Sequence, residues 1–306
     1  MRQHRLTEAQ IRSLLGRHAA VDNAARELGC SARSLRDRCQ VLGLGPPATL
    51  LGPRSLGAPP TNDTSLTLVV PDMHFPYHDK VVWTVILQAI TALQPQNVVI
   101  IGDALDAYPI SFHPKTPARR ATLRDELAIA DVELITLADA CRGRRVIYCE
   151  GNHEHRLERY LIQNAPALYG LIDMPTLLKI EERGWEWVPY QNWIRIGKIA
   201  YSHEVGACGK NAAQQTLAAF GNNIVFGHSH RGGLVYSGTV DGERHVALNV
   251  GWGGDADAVD YMHKARTREW QHGFGLVEQD DTGAGWCQFV PVIGGRCVVR
   301  GQVVRA

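Results

Sequence analysis

The sequence lacks the long apolar run of a membrane span, and its charged opening predicts a protein that is not exported. No stretch reaches the roughly 18 apolar residues of a membrane span, and the opening MRQHRLTEAQIRSLL places charge where a secretory signal needs an apolar segment. The seven cysteines include no CxxC pair, and their odd number argues against a disulfide framework. We therefore expect a cytoplasmic protein with reduced thiols and no membrane association.

A net positive charge is confined to the N-terminal segment. The chain has a net charge of only +1, yet residues 1 to 44 hold eight Arg and no Lys against four acidic residues, so the rest of the chain is slightly acidic. A local basic segment of this kind indicates a negatively charged partner. Residues 45 to 64 are rich in Gly and Pro and are predicted to be a linker. Residues 65 to 306 form the larger predicted domain.

The N-terminal segment is predicted to be a small all-α domain with helices over residues 7 to 18, 22 to 28 and 31 to 42. The run AARELGCSARSLRDRCQVLGL resembles the helix-turn-helix of bacterial regulators and phage DNA-binding proteins. That resemblance implies DNA binding, with Arg33, Arg36 and Arg38 of the third helix facing phosphates or guanine edges. The alternative is a helical bundle that mediates assembly and leaves its arginines solvated.

The larger domain alternates strand and helix, which predicts an α/β fold. Apolar runs at residues 66 to 70, 97 to 101 and 145 to 149 are separated by helical patterns at 81 to 93 and 122 to 141. Further short strands are predicted at 193 to 196, 199 to 203, 223 to 226, 234 to 240 and 244 to 250, with Asp241-Gly242 as a hairpin turn. In such a fold, functional groups gather where the strands end.

Five motifs that could hold a metal each follow one of these strands. They contain Asp72 and His74, then Asp103 and Asp106, then Asn152 and His153, then His203, and finally His228 and His230. Any one of these motifs could arise by chance. So many carboxylates and imidazoles converging on one rim would repel or desolvate one another unless cations compensated them, which predicts a metal site.

The order DxH, GDxxD, GNHE, H, GHxH over residues 66 to 250 resembles the calcineurin-like metallophosphoesterase superfamily. The resemblance implies a β-sandwich flanked by helices and two metal ions about 3.5 to 4 Å apart. It implies that Asp72, His74, Asp103 and His230 bind the first ion, that Asp103 bridges to the second, and that Asn152, His203 and His228 complete the second. It also implies that His153 faces the leaving group and that Asp106 orients it.

Oxygen and imidazole ligands without thiolate predict two divalent transition-metal ions, with manganese foremost and iron, zinc, cobalt or nickel as alternatives. Two cations that share a water would give a hydroxide near neutral pH, and His153 would act as general acid. Arg156 either contacts the substrate phosphate or belongs to an exposed helical face. The loop of residues 111 to 120, with Lys115, Arg119 and Arg120, could guide a polyanion.

The predicted function is therefore phosphoester hydrolysis, preferably by a phosphodiesterase or nuclease that acts on DNA or a DNA-associated substrate, because the N-terminal domain would concentrate DNA near the site. The compact, arginine-rich arrangement also resembles calcineurin-like enzymes encoded by phages and their hosts. Two alternatives are a general phosphomonoesterase or nucleotide phosphatase whose N-terminal helices serve assembly, and a DNA-binding regulator with a non-catalytic metal domain.

Overall fold

A computed structural model of the chain describes residues 64 to 116, 119 to 258 and 269 to 306. The predicted N-terminal helices, with Arg33, Arg36 and Arg38, and nearly all of the predicted linker lie outside the described residues. Within the described part of the chain, no helix is both long enough and apolar enough to cross a membrane.

The first half of the described chain alternates strand and helix, as predicted. Two side-chain caps fix where the long helices begin. Asp79 accepts hydrogen bonds from the backbone N–H groups of Val81 and Val82, and Thr122 forms a reciprocal capping box with Asp125. The elements are β1 Ser65–Val70, α1 Lys80–Leu93, β2 Asn97–Ile100, α2 Leu123–Ala140, β3 Arg145–Cys149, α3 Arg156–Asn164, α4 Met174–Leu177 and β4 Glu186–Val188.

The second half is rich in short strands. These are β5 Ile194–Ile196, β6 Ile199–Tyr201, β7 Ile224–Phe226, β8 Gly232–Gly238 and β9 Arg244–Val250, followed by β10 Gly273–Gln279, β11 Gly285–Pro291, β12 Arg296–Val299 and β13 Gln302–Arg305, with helix α5 Ala212–Phe220 after β6. The predicted strand at 234 to 240 is displaced, because β8 begins at Gly232 and the turn between β8 and β9 already starts at Thr239, whose N–H donates to the Glu243 carbonyl. Strand β4, the four strands after residue 272 and helices α3 to α5 are not among the predicted elements.

The strands form two main sheets and one hairpin. The six-stranded sheet has the order β11-β10-β1-β2-β3-β4, in which β1 to β4 are parallel and β10 and β11 are antiparallel. The five-stranded sheet has the order β5-β6-β7-β9-β8, in which β6, β7 and β9 are parallel. Strands β12 and β13 pair as a separate hairpin.

The two sheets pack face to face. One apolar cluster joins residues of the six-stranded sheet, such as Val69 and Val99, to residues of the five-stranded sheet, such as Tyr201 and Leu248. Helices α1 and α2 cover the outer face of the first sheet, and α5 packs on the second. Burying both faces of the sheets in this way stabilises the parallel strands, which present few polar side chains of their own. The result is a mixed α/β sandwich with helices outside.

Candidate metal centre

The predicted site residues follow the carboxyl ends of parallel strands in both sheets. Asp72, Asp103 and Asn152 come shortly after β1, β2 and β3, and His203 and His228 come two residues after β6 and β7. Because the sheets pack face to face, these loops meet at one rim of the sandwich. The structure therefore brings together side chains that are more than 150 residues apart in the chain.

The backbone at this rim is unusually strained. His74, Asp103, His228 and His230 all have positive φ, between 48° and 64°. A side chain other than Gly adopts this left-handed region at a cost, and such residues cluster at functional sites. Four of the seven predicted metal ligands share this feature, which turns their side chains toward one another.

Gly102 shows why the GDxxD motif begins with glycine. Its φ is +106°, and a Cβ there would lie 2.7 Å from His203 Nδ1 and 2.8 Å from the Gly151 backbone. Only a residue without a side chain lets β2, β3 and the His203 loop approach this closely. Gly102 therefore permits the close backbone approach at this rim.

The first cluster contains Asp72, His74 and His230, all buried. The Nε2 atoms of His74 and His230 are 3.0 Å apart, and an Asp72 carboxylate oxygen lies 3.4 Å from His230 Nε2. Trp252 stacks on the His230 ring at 5.2 Å, and Trp270 meets that ring edge-on at 4.3 Å. These two indoles hold His230 in place, a role that the sequence analysis did not assign.

The second cluster contains Asp103, His203 and His228, with Asn152 beside them. The Asn152 Oδ1 atom lies 3.0 Å from His203 Nε2 and 2.8 Å from His228 Nδ1, and Asp103 Oδ2 lies 3.4 Å from His203 Nε2. His203 Nδ1 donates to the Ile101 carbonyl at 3.0 Å, so its Nε2 is left facing two oxygen atoms. That arrangement requires a proton or a cation at His203 Nε2.

A third cluster is centred on Asp106 and contains His74 and His153. Asp106 Oδ1 is 2.8 Å from His153 Nδ1 and 3.4 Å from His74 Nδ1, so one carboxylate fixes both rings. Arg119 pairs with the other Asp106 oxygen at 3.3 Å and lies over the rings of Tyr77 and Tyr108. Arg119 is thus turned toward Asp106.

Arg156 lies at the site and not on a solvated helical face. Its Nη1 donates to the Asp106 carbonyl at 2.7 Å, and its Nη2 donates to His153 Nε2 at 2.8 Å. With Nδ1 bonded to Asp106 and Nε2 accepting from Arg156, His153 is neutral in this arrangement and has its proton on Nδ1.

Burial and the surrounding charges shift the pKa values of these groups in opposite directions. Burial raises the pKa of Asp72 to about 7, although His203 opposes the shift. Burial also disfavours ionised Asp103, but His153 and His203 outweigh it and hold the Asp103 pKa well below its ordinary value. For His203, burial favours the neutral ring, yet Asp103 raises the pKa to about 10. Burial keeps the His230 pKa well below its usual range.

The residues present fit divalent metal ions. Asp72 Oδ1 is buried and has no hydrogen-bond partner among the described residues, which is costly for a carboxylate unless a cation compensates it. The adjacent ring nitrogens of His74 and His230 can share at most one proton between them. Oxygen and imidazole donors without a thiolate match transition-metal ions such as Mn²⁺, Fe²⁺ and Zn²⁺.

Glu154 is an important residue to which the sequence analysis gave no role, although it stands in the GNHE motif. Its Oε2 accepts the N–H groups of Asp103 and Gly151, and its Oε1 accepts the N–H of Leu105 and the hydroxyl of Tyr148, all at 2.8 to 2.9 Å. Glu154 is fully buried. It therefore ties the loop after β2 to the loop after β3. The fourth position of GNHE was the only signal for this role in the sequence.

The fold and site define a mixed α/β sandwich whose rim carries Asp/His clusters, each able to hold a metal ion. No family model matches the chain. The chain is similar to two phage proteins, both named Gene 54 protein. It is 27% identical over 249 residues to that of Mycobacterium phage D29 and 28% identical over 259 residues to that of Mycobacterium phage L5, and each match covers 77% of this chain and 97% of the phage protein.

Several solved structures are similar to the chain. They include a single mutant of Vps29 from Entamoeba histolytica (TM-score 0.38, 16% identity, 78% of this chain and 95% of that one) and the phosphoesterase YfcE of E. coli (TM-score 0.33, 11%, 70% and 91%). Another is purple acid phosphatase PPD1 of yellow lupin (TM-score 0.40, 12%, 76% and 54%). These TM-scores are below 0.5, and the chemistry of the site rests on its own side chains.

Proposed function

We propose that the chain is a calcineurin-like metallophosphoesterase that binds two divalent transition-metal ions and hydrolyses phosphodiesters, with DNA as the substrate. The observation that carries this proposal is the pair of Asp/His clusters at one rim of the sandwich, with Asp103 acting electrostatically on histidines of both. Asp72, His74 and His230 would hold the first ion. Asn152, His203 and His228 would hold the second, and Asp103 would bind both.

The electrostatics of Asp103 support its bridging role. Burial lowers the pKa of His74, but the hydrogen bond to Asp106 and, after it, the charge of Asp103 outweigh burial and raise that pKa. Burial likewise opposes ionisation of His203, and the charge of Asp103 is the largest cause that raises its pKa. One carboxylate therefore acts on both groups of ligands. The Oδ1 atom of Asp103 accepts a hydrogen bond from the backbone N–H of His153 at 2.8 Å, which fixes the orientation of the Asp103 carboxylate. When bound, the cations would neutralise phosphoryl oxygens and lower the pKa of water at the site.

His153 and Arg156 would act on the leaving-group side of the phosphorus atom. Asp106 holds His153 Nδ1, so His153 Nε2 is the atom that would protonate a leaving oxygen. In the present arrangement the Arg156 guanidinium donates a hydrogen bond to His153 Nε2. An anionic phosphate is a better acceptor for a guanidinium than a neutral imidazole. Substrate binding would therefore draw Arg156 to the phosphate and free His153 Nε2 to carry a proton.

DNA is supported by the charge distribution of the sequence. The basic N-terminal segment with Arg33, Arg36 and Arg38 would hold DNA near the site and raise the local concentration of phosphodiesters. The D29 and L5 proteins cover the same share of the chain, but their names assign them no activity.

The test is hydrolysis by Mn²⁺-loaded protein of bis(p-nitrophenyl) phosphate, p-nitrophenyl phosphate, and single- and double-stranded DNA, with elemental analysis of bound metal. We expect diester cleavage and two ions per chain. Asp103→Asn is expected to lose both activity and metal, whereas Asp281→Asn, an exposed turn residue, keeps both. Cleavage of the monoester alone would refute the diesterase assignment, and full activity of metal-loaded Asp103→Asn would refute the bridging role.

A further inference from the structure

A cavity of about 240 Å³ opens beside His153 and has a strongly one-sided charge. Three cationic side chains line it, namely Lys115, Arg156 and Arg159, and no carboxylate is among the described residues that line it. Arg156 belongs both to this cavity and to the candidate metal centre, because its guanidinium contacts His153 Nε2. Arg156 therefore links the cavity to the side of the candidate site that would face the leaving group.

Aromatic side chains accompany these cations. Phe112 lines the cavity and is 64% exposed, which is unusual for a ring of this size, and Tyr160 is 39% exposed. The Arg159 guanidinium lies 4.7 Å from the centre of the Phe112 ring. The His113 ring also packs on Phe112, with the ring centres 4.0 Å apart, yet most of the Phe112 surface remains open to solvent. Exposed aromatic rings interleaved with cations are the means by which proteins hold single-stranded nucleic acid.

The loop that carries Phe112 is held in place before any ligand arrives. The His113 N–H donates to Ser111 Oγ at 3.1 Å, and the Thr116 N–H donates to the Tyr108 hydroxyl at 2.6 Å. Ser111 is buried, so the loop is anchored at its base. A ring on a fixed loop binds with less entropy loss than one on a mobile loop.

The volume of the cavity limits the size of the ligand that it can hold. It is smaller than the roughly 300 to 1,000 Å³ of pockets that enclose a whole drug-sized molecule. One base with its adjacent phosphate fits the lining better, because Phe112 can stack on the base while Lys115 and Arg159 meet phosphate oxygens. A base can stack on Phe112 only when it is not paired and stacked within a duplex.

We infer that this cavity binds the nucleotide on the leaving-group side of the scissile phosphate and that the substrate is single-stranded there. This inference rests on the proposed function for the position of the leaving group. It extends that function by assigning Phe112 to the base and Lys115 and Arg159 to the next phosphate. These side chains would bind and orient the strand without taking part in the chemistry.

Binding can be measured separately from cleavage. Fluorescence anisotropy with a labelled short thymidine oligonucleotide, on the full chain in EDTA, is expected to show binding that Phe112→Ala weakens about tenfold, since base stacking on an aromatic ring has an effect of this size. Lys115→Ala is expected to reduce the slope of log K against log salt by about 0.7, the value for one phosphate contact on a single strand.

Two matched controls lie at the other end of the sandwich. Tyr236 is 63% exposed, and Lys198 precedes β6, whereas the metal-centre residue His203 follows β6. Tyr236→Ala and Lys198→Ala are expected to bind the oligonucleotide as the wild type does. If they weaken binding as much as Phe112→Ala and Lys115→Ala, or if the cavity variants bind normally, the inference is wrong.

Cleavage provides the second readout. With Mn²⁺, Phe112→Ala is expected to lower the ratio of kcat/KM for the oligonucleotide to kcat/KM for bis(p-nitrophenyl) phosphate about tenfold, mainly through KM. An unchanged ratio overturns the inference. If the wild type hydrolyses no diester, the proposed function fails, yet the binding measurements still decide whether the cavity holds a nucleotide.

Discussion

Glu154 provides the most direct test of how the two motif loops are held together. All four of its partners donate to it, which favours the ionised carboxylate, whereas burial raises its pKa. In Glu154→Gln the amide oxygen can keep two N–H partners, while the NH₂ group faces the other two. The Tyr148 hydroxyl can rotate to accept, but the Leu105 N–H cannot and is left buried without an acceptor.

The loss of folding stability in Glu154→Gln can be estimated from these contacts. A buried unsatisfied N–H costs about 1–3 kcal/mol, and the remaining hydrogen bonds lose the strength that an ionised acceptor gives them. Relief of the buried charge offsets part of this loss. We expect a net destabilisation of about 2–3 kcal/mol. For a domain of this size that corresponds to a fall in Tm of about 4–12 °C.

Thermal unfolding of wild type, Glu154→Gln and Glu182→Gln in EDTA measures the effect. Glu182→Gln removes the same charge at an exposed position and is expected to change stability by less than about 0.5 kcal/mol. Amide hydrogen exchange is expected to accelerate at Leu105 in Glu154→Gln. A Tm within about 2 °C of the Glu182→Gln control, with Leu105 still protected, would refute the reasoning.

Two further predictions concern chemistry and pH. His153→Ala is expected to keep its metal ions but to lose about 10²- to 10⁴-fold in kcat, most with poor leaving groups; equal losses across p-nitrophenyl and alkyl leaving groups would contradict the general-acid role. Burial raises the pKa of Glu126 from its ordinary 4.5 to about 8, so the folded chain holds a proton there that the unfolded chain releases between these pH values. This group therefore destabilises the fold as pH rises through that window. Glu126→Gln removes this effect. The Tm of the variant is therefore expected to rise relative to the wild-type Tm as the pH increases from about 5 to 8.5, whereas a constant difference between the two Tm values would contradict the pKa shift.

The local patterns predicted the elements from β1 to β3 well. The apolar runs of β1, β2 and β3 and the capped helices α1 and α2 have clear periodicity and end signals, so their positions follow from short-range rules. The strands after residue 272 were not predicted. Strand β10 is buried on both faces and lacks alternation, and its place between β1 and β11 depends on long-range pairing.

Local patterns in the chain are enough to show which residue types could bind a metal and that each follows a strand, because motif spacing and strand ends are local properties. Which of these side chains meet depends on how distant segments pack. Packing of the two sheets brings His203 and His228 against Asp103, and His230 against His74. It also turned Arg119 and Arg156 inward onto Asp106 and gave Glu154 its four donors. Such contacts join segments far apart in the chain, and their geometry is set by sheet packing and left-handed backbone turns that no local pattern specifies.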